Sequence, residues 1–330
     1  MRFGLVCLVL SACAASPTEP VDLHHEFPRV QVAPGEETDQ VCQSWTLDNA
    51  EALYVNAVTM QNGGGFHHSN WFYVPEDLYA GPDGTWPCAE RNYDQSTAAI
   101  VGGVAFAQST QATEETLAFT EGAAYRIPPH SRIAGQLHLF NATDAPLDTG
   151  IAFDIHPIRE DDTKIRLQPA VFVYQTLAIP PMARSRFQTD CDVAKSFGAP
   201  LDFNFYYMLP HYHALGTAMN LVTDAGTGPV SVFGGGGHIG DVKSQKLEPP
   251  FSAAGTSHYE LSCDYTNSTA NTVTWGNATQ EMCILVSFTD SPYIIFSGVF
   301  SDNNYVTTTD DGVMVYEGTC GTSFVEPTHD

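Results

Sequence analysis

Pro210-His211-Tyr212-His213 sets two imidazoles two residues apart. On a β-strand such residues share a face, so His211 and His213 could present both rings to one metal ion. The alternative is a pair of surface histidines. In Gly63-Gly64-Gly65-Phe66-His67-His68, two adjacent histidines follow three glycines. Neighbours on a regular strand point to opposite faces, so His67 and His68 reach one ion only where the backbone leaves the pleat, which glycines permit. Otherwise they are solvated surface. His138, in Gln136-Leu137-His138-Leu139-Phe140, is a lone imidazole on an apolar strand, either a ligand or a core histidine. Met282, in Gln280-Glu281-Met282-Cys283, is ordinarily a packing residue. Beside imidazoles its thioether becomes a soft donor that favours Cu(I) over zinc.

The elements that must carry these residues read as strands. Short β-type runs include 52–58, 136–140, 150–155, 170–174, 203–208 and 283–288, each bounded by turn residues. This spacing predicts an all-β chain built as two tandem antiparallel β-sandwich, jelly-roll-like domains. The pair Pro180-Pro181 interrupts a sheet ladder and marks the boundary, giving domains over 38–180 and 181–330. No internal repeat of solenoid period is visible.

Composition narrows the setting. With 13 Lys plus Arg against 38 Asp plus Glu, the chain carries a formal charge of −25. Phosphate neutralisation requires clustered cations, so nucleic-acid binding is excluded. Residues 1–13 pair a charged start with an apolar run ending in Leu10-Ser11-Ala12-Cys13, resembling a bacterial lipobox whose Cys13 is lipidated. Plain secretion is the competing expectation. Polar sequence over 14–37 reads as a tether. The protein is thus expected to be exported to the cell envelope, touching a membrane only through the lipid at Cys13. Six cysteines remain, with 15 conceivable pairings. The triplets at Asn141, Asn267 and Asn277 fit the glycosylation pattern. His24, His25, His130, His156, His258 and His329 have no partner spacing, and His238, after four glycines, could line a cleft.

Taken in order, His67-His68, His138, His211-x-His213 and Glu281-Met282-Cys283 resemble the copper type II, ascorbate-dependent monooxygenases. The resemblance runs in islands from about Cys42 to Cys320 and is closer in the second half, including Gly255-Thr256-Ser257-His258-Tyr259-Glu260. It implies two coppers per chain. His67, His68 and His138 would hold the electron-storing ion, and His211, His213 and Met282 the ion that meets O₂ and substrate. It also implies the pairings Cys42 with Cys88, Cys263 with Cys283, and Cys191 with Cys320.

The implied reaction hydroxylates a C–H bond of a small substrate, with O₂ and ascorbate as co-reactants. Peptide-processing members grip a carboxylate through an Arg, an Asn and a Tyr at positions that are Leu209, Ile284 and Val286 here, so a peptidylglycine substrate is not expected. Two further classes compete. One is a non-catalytic envelope copper protein with the same ligands; the other is a double sandwich that binds carbohydrate or protein without metal.

Overall fold

The structure, a computed structural model, describes residues 20–108, 112–237, 244–276 and 279–327, apart from the side chain of His67. Cys13, His238, Asn277 and His329 lie outside them. The expected strands all form, and the chain is all-β with two sandwiches.

In the first sandwich, a five-stranded sheet carries Glu37–Thr46, Ser131–Phe140 and Phe66–Pro75 at its centre. It faces Leu53–Asn62 and Ile151–Ile158, the latter alternating buried and half-buried residues along its whole length. Trp71, Phe106 and Phe153 pack between the layers, with ring centroids 4.8 Å apart for Trp71 and Phe153 and 5.6 Å for Phe106 and Phe153. In the second sandwich, a six-stranded sheet containing Ala183–Asp192, His258–Asn267 and Gly216–Asp224 covers Asn204–His211 and Ile284–Thr289. Its core holds Phe172, Phe187, Phe205 and Tyr259.

The boundary differs from expectation in one respect. Strand Ile165–Tyr174 pairs in parallel with Ala123–Ile127 at its start, then with Ile284–Thr289 and Ile294–Val299 further on. One eleven-stranded sheet therefore runs through both halves. The contact between halves is apolar: Tyr207, Leu209, Val286 and Phe288 belong to the first core. A bulge between Phe205 and Tyr207 shifts the alternation: Phe203 and Phe205 before it and Met208 after it lie in the second core, while Tyr207 and Leu209 face the first half.

The expected tether over 14–37 is also corrected for its described part, residues 20–37. Leu23–Glu26 pairs with Ile151–Ile158, and Val30–Val32 with Leu147–Thr149. Phe27 and Val32 are buried. These strands are too short and polar to stand out by composition, but their alternate residues face inward.

All six cysteines pair as the resemblance implied: Cys42–Cys88, Cys191–Cys320 and Cys263–Cys283. Three disulfides indicate an oxidising, extracellular or periplasmic setting. No helix among the described residues is long and apolar enough to cross a membrane.

Candidate metal centre

Gly65 begins the site. Its φ is 74°, and a Cβ there would stand 2.3 Å from Leu147 Cδ2, so only glycine makes this turn without displacing Leu147. The strand Phe66–Pro75 follows at once, with the backbone of both histidines inside it. His68 lies directly opposite His138 on the neighbouring strand. Facing residues on antiparallel strands approach closely, and the two rings meet edge to face with centroids 4.7 Å apart. His138 Nε2 lies 2.8 Å from Glu37 Oε1, a carboxylate–imidazole contact of the kind that orients metal ligands.

The second half delivers its histidines from the strand that faces the first core. Residues at i and i+2 share a face, so His211 follows Leu209 towards the first half. The strand ends at His211, and His213 sits just beyond it, so the shared face inferred for a continuous strand is replaced by a turn. Both rings still converge, with centroids 5.2 Å apart. His68 lies 4.8 Å from His211 and 5.2 Å from His213, ring centre to ring centre.

His68, His211 and His213 each offer one ligand nitrogen, and these atoms lie within 4.8 Å of one another. All three are buried, at 6%, 8% and 1% exposure. His213 Nδ1 lies 2.8 Å from the Gln280 carbonyl oxygen, which fixes that nitrogen as donor and leaves Nε2 for the cluster. Three buried imidazoles suit copper, zinc, iron or nickel.

The grouping differs from the expected trios. One member of the first trio joins two of the second, because the apolar contact between the halves brings their histidine-bearing strand ends together. His138 stands behind His68. The side chain of His67 is outside the described residues. Met282 is buried beside this cluster's supporting segment, and its carbonyl accepts a 2.6 Å hydrogen bond from the Tyr265 hydroxyl.

Glu281 was not singled out by the sequence reading. It is 1% exposed, and its two carboxylate oxygens accept from the backbone N–H groups of His213 and Leu215, at 2.9 and 2.6 Å. Burial pushes its pKa up to about 7, against the pull of those N–H groups. Its signal in the sequence is a lone acid beside buried Met282 and Cys283, which demands a partner.

The positions Leu209, Ile284 and Val286 are packing residues of the contact between halves. Leu209 and Val286 face each other across paired strands, and Ile284 faces His211. His24, His130, His156 and His258 lie beside Asp154, Glu76, Asp22 and Asp190 at the surface, and His25 stacks on Trp45. A cavity of about 600 Å³ lies at the other end of the Phe66–Pro75 strand, lined by Tyr73, Arg126, His130 and Ile294 and by no member of the His68, His211 and His213 cluster.

No protein-family model and no curated protein matches the chain. Among solved structures, PNGase F, a glycosylasparaginase from Flavobacterium meningosepticum, is 9% identical over 82% of this chain and 95% of that one, with a TM-score of 0.38. The major capsid protein P2 from bacteriophage PM2 is 8% identical over 82% and 97%, with a TM-score of 0.31. Likeness at this level says nothing about the chemistry of the histidine cluster.

Proposed function

We propose that the chain is an exported copper protein that hydroxylates a C–H bond of a small substrate, using O₂ and ascorbate. The observation that supports this reading is the meeting of His68, from one half, with His211 and His213, from the other, at ligand spacing. Bound copper would supply one-electron redox chemistry and a place for O₂. The overall reaction balances as R–H plus O₂ plus two electrons and two protons giving R–OH and water, with ascorbate oxidised to dehydroascorbate.

The donor set fits the ion. Neutral imidazoles accommodate both copper oxidation states, and Met282 is a soft donor carried on the segment that braces His213. His138 and His67 remain as donors for the second copper that the resemblance implies. Burial of the triad excludes bulk water, and the Gln280 carbonyl holds the His213 tautomer. Lipidation at Cys13 would tether the protein to the envelope.

Burial also favours a second reading, a copper carrier or store without turnover, since a closed triad offers a substrate little access. Copper stoichiometry combined with ascorbate-driven O₂ uptake across a substrate panel separates the two. Turnover with any substrate supports the oxygenase; tight copper without uptake supports the carrier; zinc in place of copper defeats both.

A further inference from the structure

We infer that Glu281 is a positioning residue, whose buried carboxylate holds the turn after His211 in the conformation that aims His213 into the cluster; this rests on the metal-site reading above. The strand hydrogen-bond ladder stops at His211. Beyond it, the N–H groups of His213 and Leu215 point to the two oxygens of one carboxylate instead of to a neighbouring strand. An N–H turned inward without an acceptor destabilises the conformation that places it there, so the turn depends on those two oxygens. The chain then closes on itself where Gly216 N donates to His213 O at 3.1 Å.

Glu281 is itself fixed. Its N–H donates to the Thr274 carbonyl at 2.9 Å, and its carbonyl accepts from Gly276 N at 3.1 Å. Two residues on, Cys283 is bonded to Cys263. The same short segment supplies the Gln280 carbonyl that orients the His213 ring. Backbone and ring of one ligand are thus set by adjacent residues on a disulfide-anchored platform.

The chemistry of the side chain makes the test selective. Glutamine matches glutamate in size but offers one acceptor oxygen and an NH₂ group, so one of the two N–H groups would face a donor. Hydrogen exchange across residues 211–216 of the metal-free protein, in wild type and Glu281→Gln, reads the turn directly. Cu(I) titration and the Cu(II) paramagnetic resonance signal of the same proteins read the site.

Glu281→Gln should lose exchange protection at His213 and Leu215 while both cores stay protected. It should also bind Cu(I) about 10–100-fold more weakly, with an altered Cu(II) signal. Leu215→Pro, which removes one donor and leaves the carboxylate, should lose exchange protection at His213 and serves if Glu281→Gln fails to fold. Unchanged protection in the variants, or unchanged copper affinity and signal, overturns the inference. A wild type that binds no copper, with protection still lost in Glu281→Gln, defeats the copper reading and leaves the positioning role standing.

Discussion

The two halves turn the same corner with the same residues. Asn141 follows strand Ser131–Phe140; its amide donates to the carbonyls of Val32 and Ala145, at 3.0 and 2.8 Å, while its oxygen accepts from the N–H and hydroxyl of Thr143. Asn267 ends strand His258–Asn267 and does likewise, donating to Ile179 and Asn271 at 3.2 and 2.9 Å and accepting from Thr269. In each half the chain that receives the amide then turns through a left-handed residue, Gly35 at φ 71° and Met182 at φ 53°. The strands on either side pair in the same way, Ser131–Phe140 with Glu37–Thr46 and His258–Asn267 with Ala183–Asp192.

The buried histidines do not follow this repetition. His68 and His138 come from the sheet that carries the first corner, whereas His211 comes from the sheet facing the second corner. The histidine cluster therefore belongs to the contact between the halves and to neither corner. The corners also account for two glycosylation triplets: Asn141 and Asn267 are both 1% exposed with their amides engaged, so a glycan there would require the corner to open.

The comparison can be broken in order of expected effect. Cys191–Cys320 closes 129 residues of the second half and Cys42–Cys88 closes 46 of the first. Loop entropy alone assigns them about 5 and about 4 kcal/mol, so Cys320→Ser should destabilise more than Cys88→Ser in denaturant titrations under oxidising conditions. Next, Asn141→Ala and Asn267→Ala should each cost about 3 kcal/mol through lost and orphaned hydrogen bonds; a large cost in one half only would mean the corners are alike in shape but not in use. Glu37→Gln should weaken binding of the second copper proposed at His138 about tenfold, with no effect on the Asn267 corner. Smallest, Asp154→Asn beside the exposed His24 should leave the denaturation midpoint unchanged, because solvent screens the pair.

How much of this was legible depended on range. β-type runs bounded by turn residues marked strands such as Ile151–Ile158, and export with six cysteines pointed to disulfides, because these are properties of local sequence and of compartment. Leu23–Glu26 was hidden in a polar stretch, since four residues carry too little pattern to separate a strand from a linker. The histidines were visible as residues, but their grouping was not. His68 joins His211 and His213 only through a bulge at Phe205–Tyr207 and an apolar contact between distant strands, neither of which is written in the spacing of ligands. Glu281 was visible as a letter in a motif; its role needed the end of a strand elsewhere.

The central claim is that one ion is held jointly by both halves, and copper titration of a double-mutant cycle tests it most directly. His68→Ala and His211→Ala should each weaken the same binding event by at least about 100-fold, and the double variant should lose little more than either single one, because the ligands act as a unit. If His68→Ala abolishes one binding event, His211→Ala abolishes a different one, and the two losses add, each half holds its own metal and the shared site is wrong.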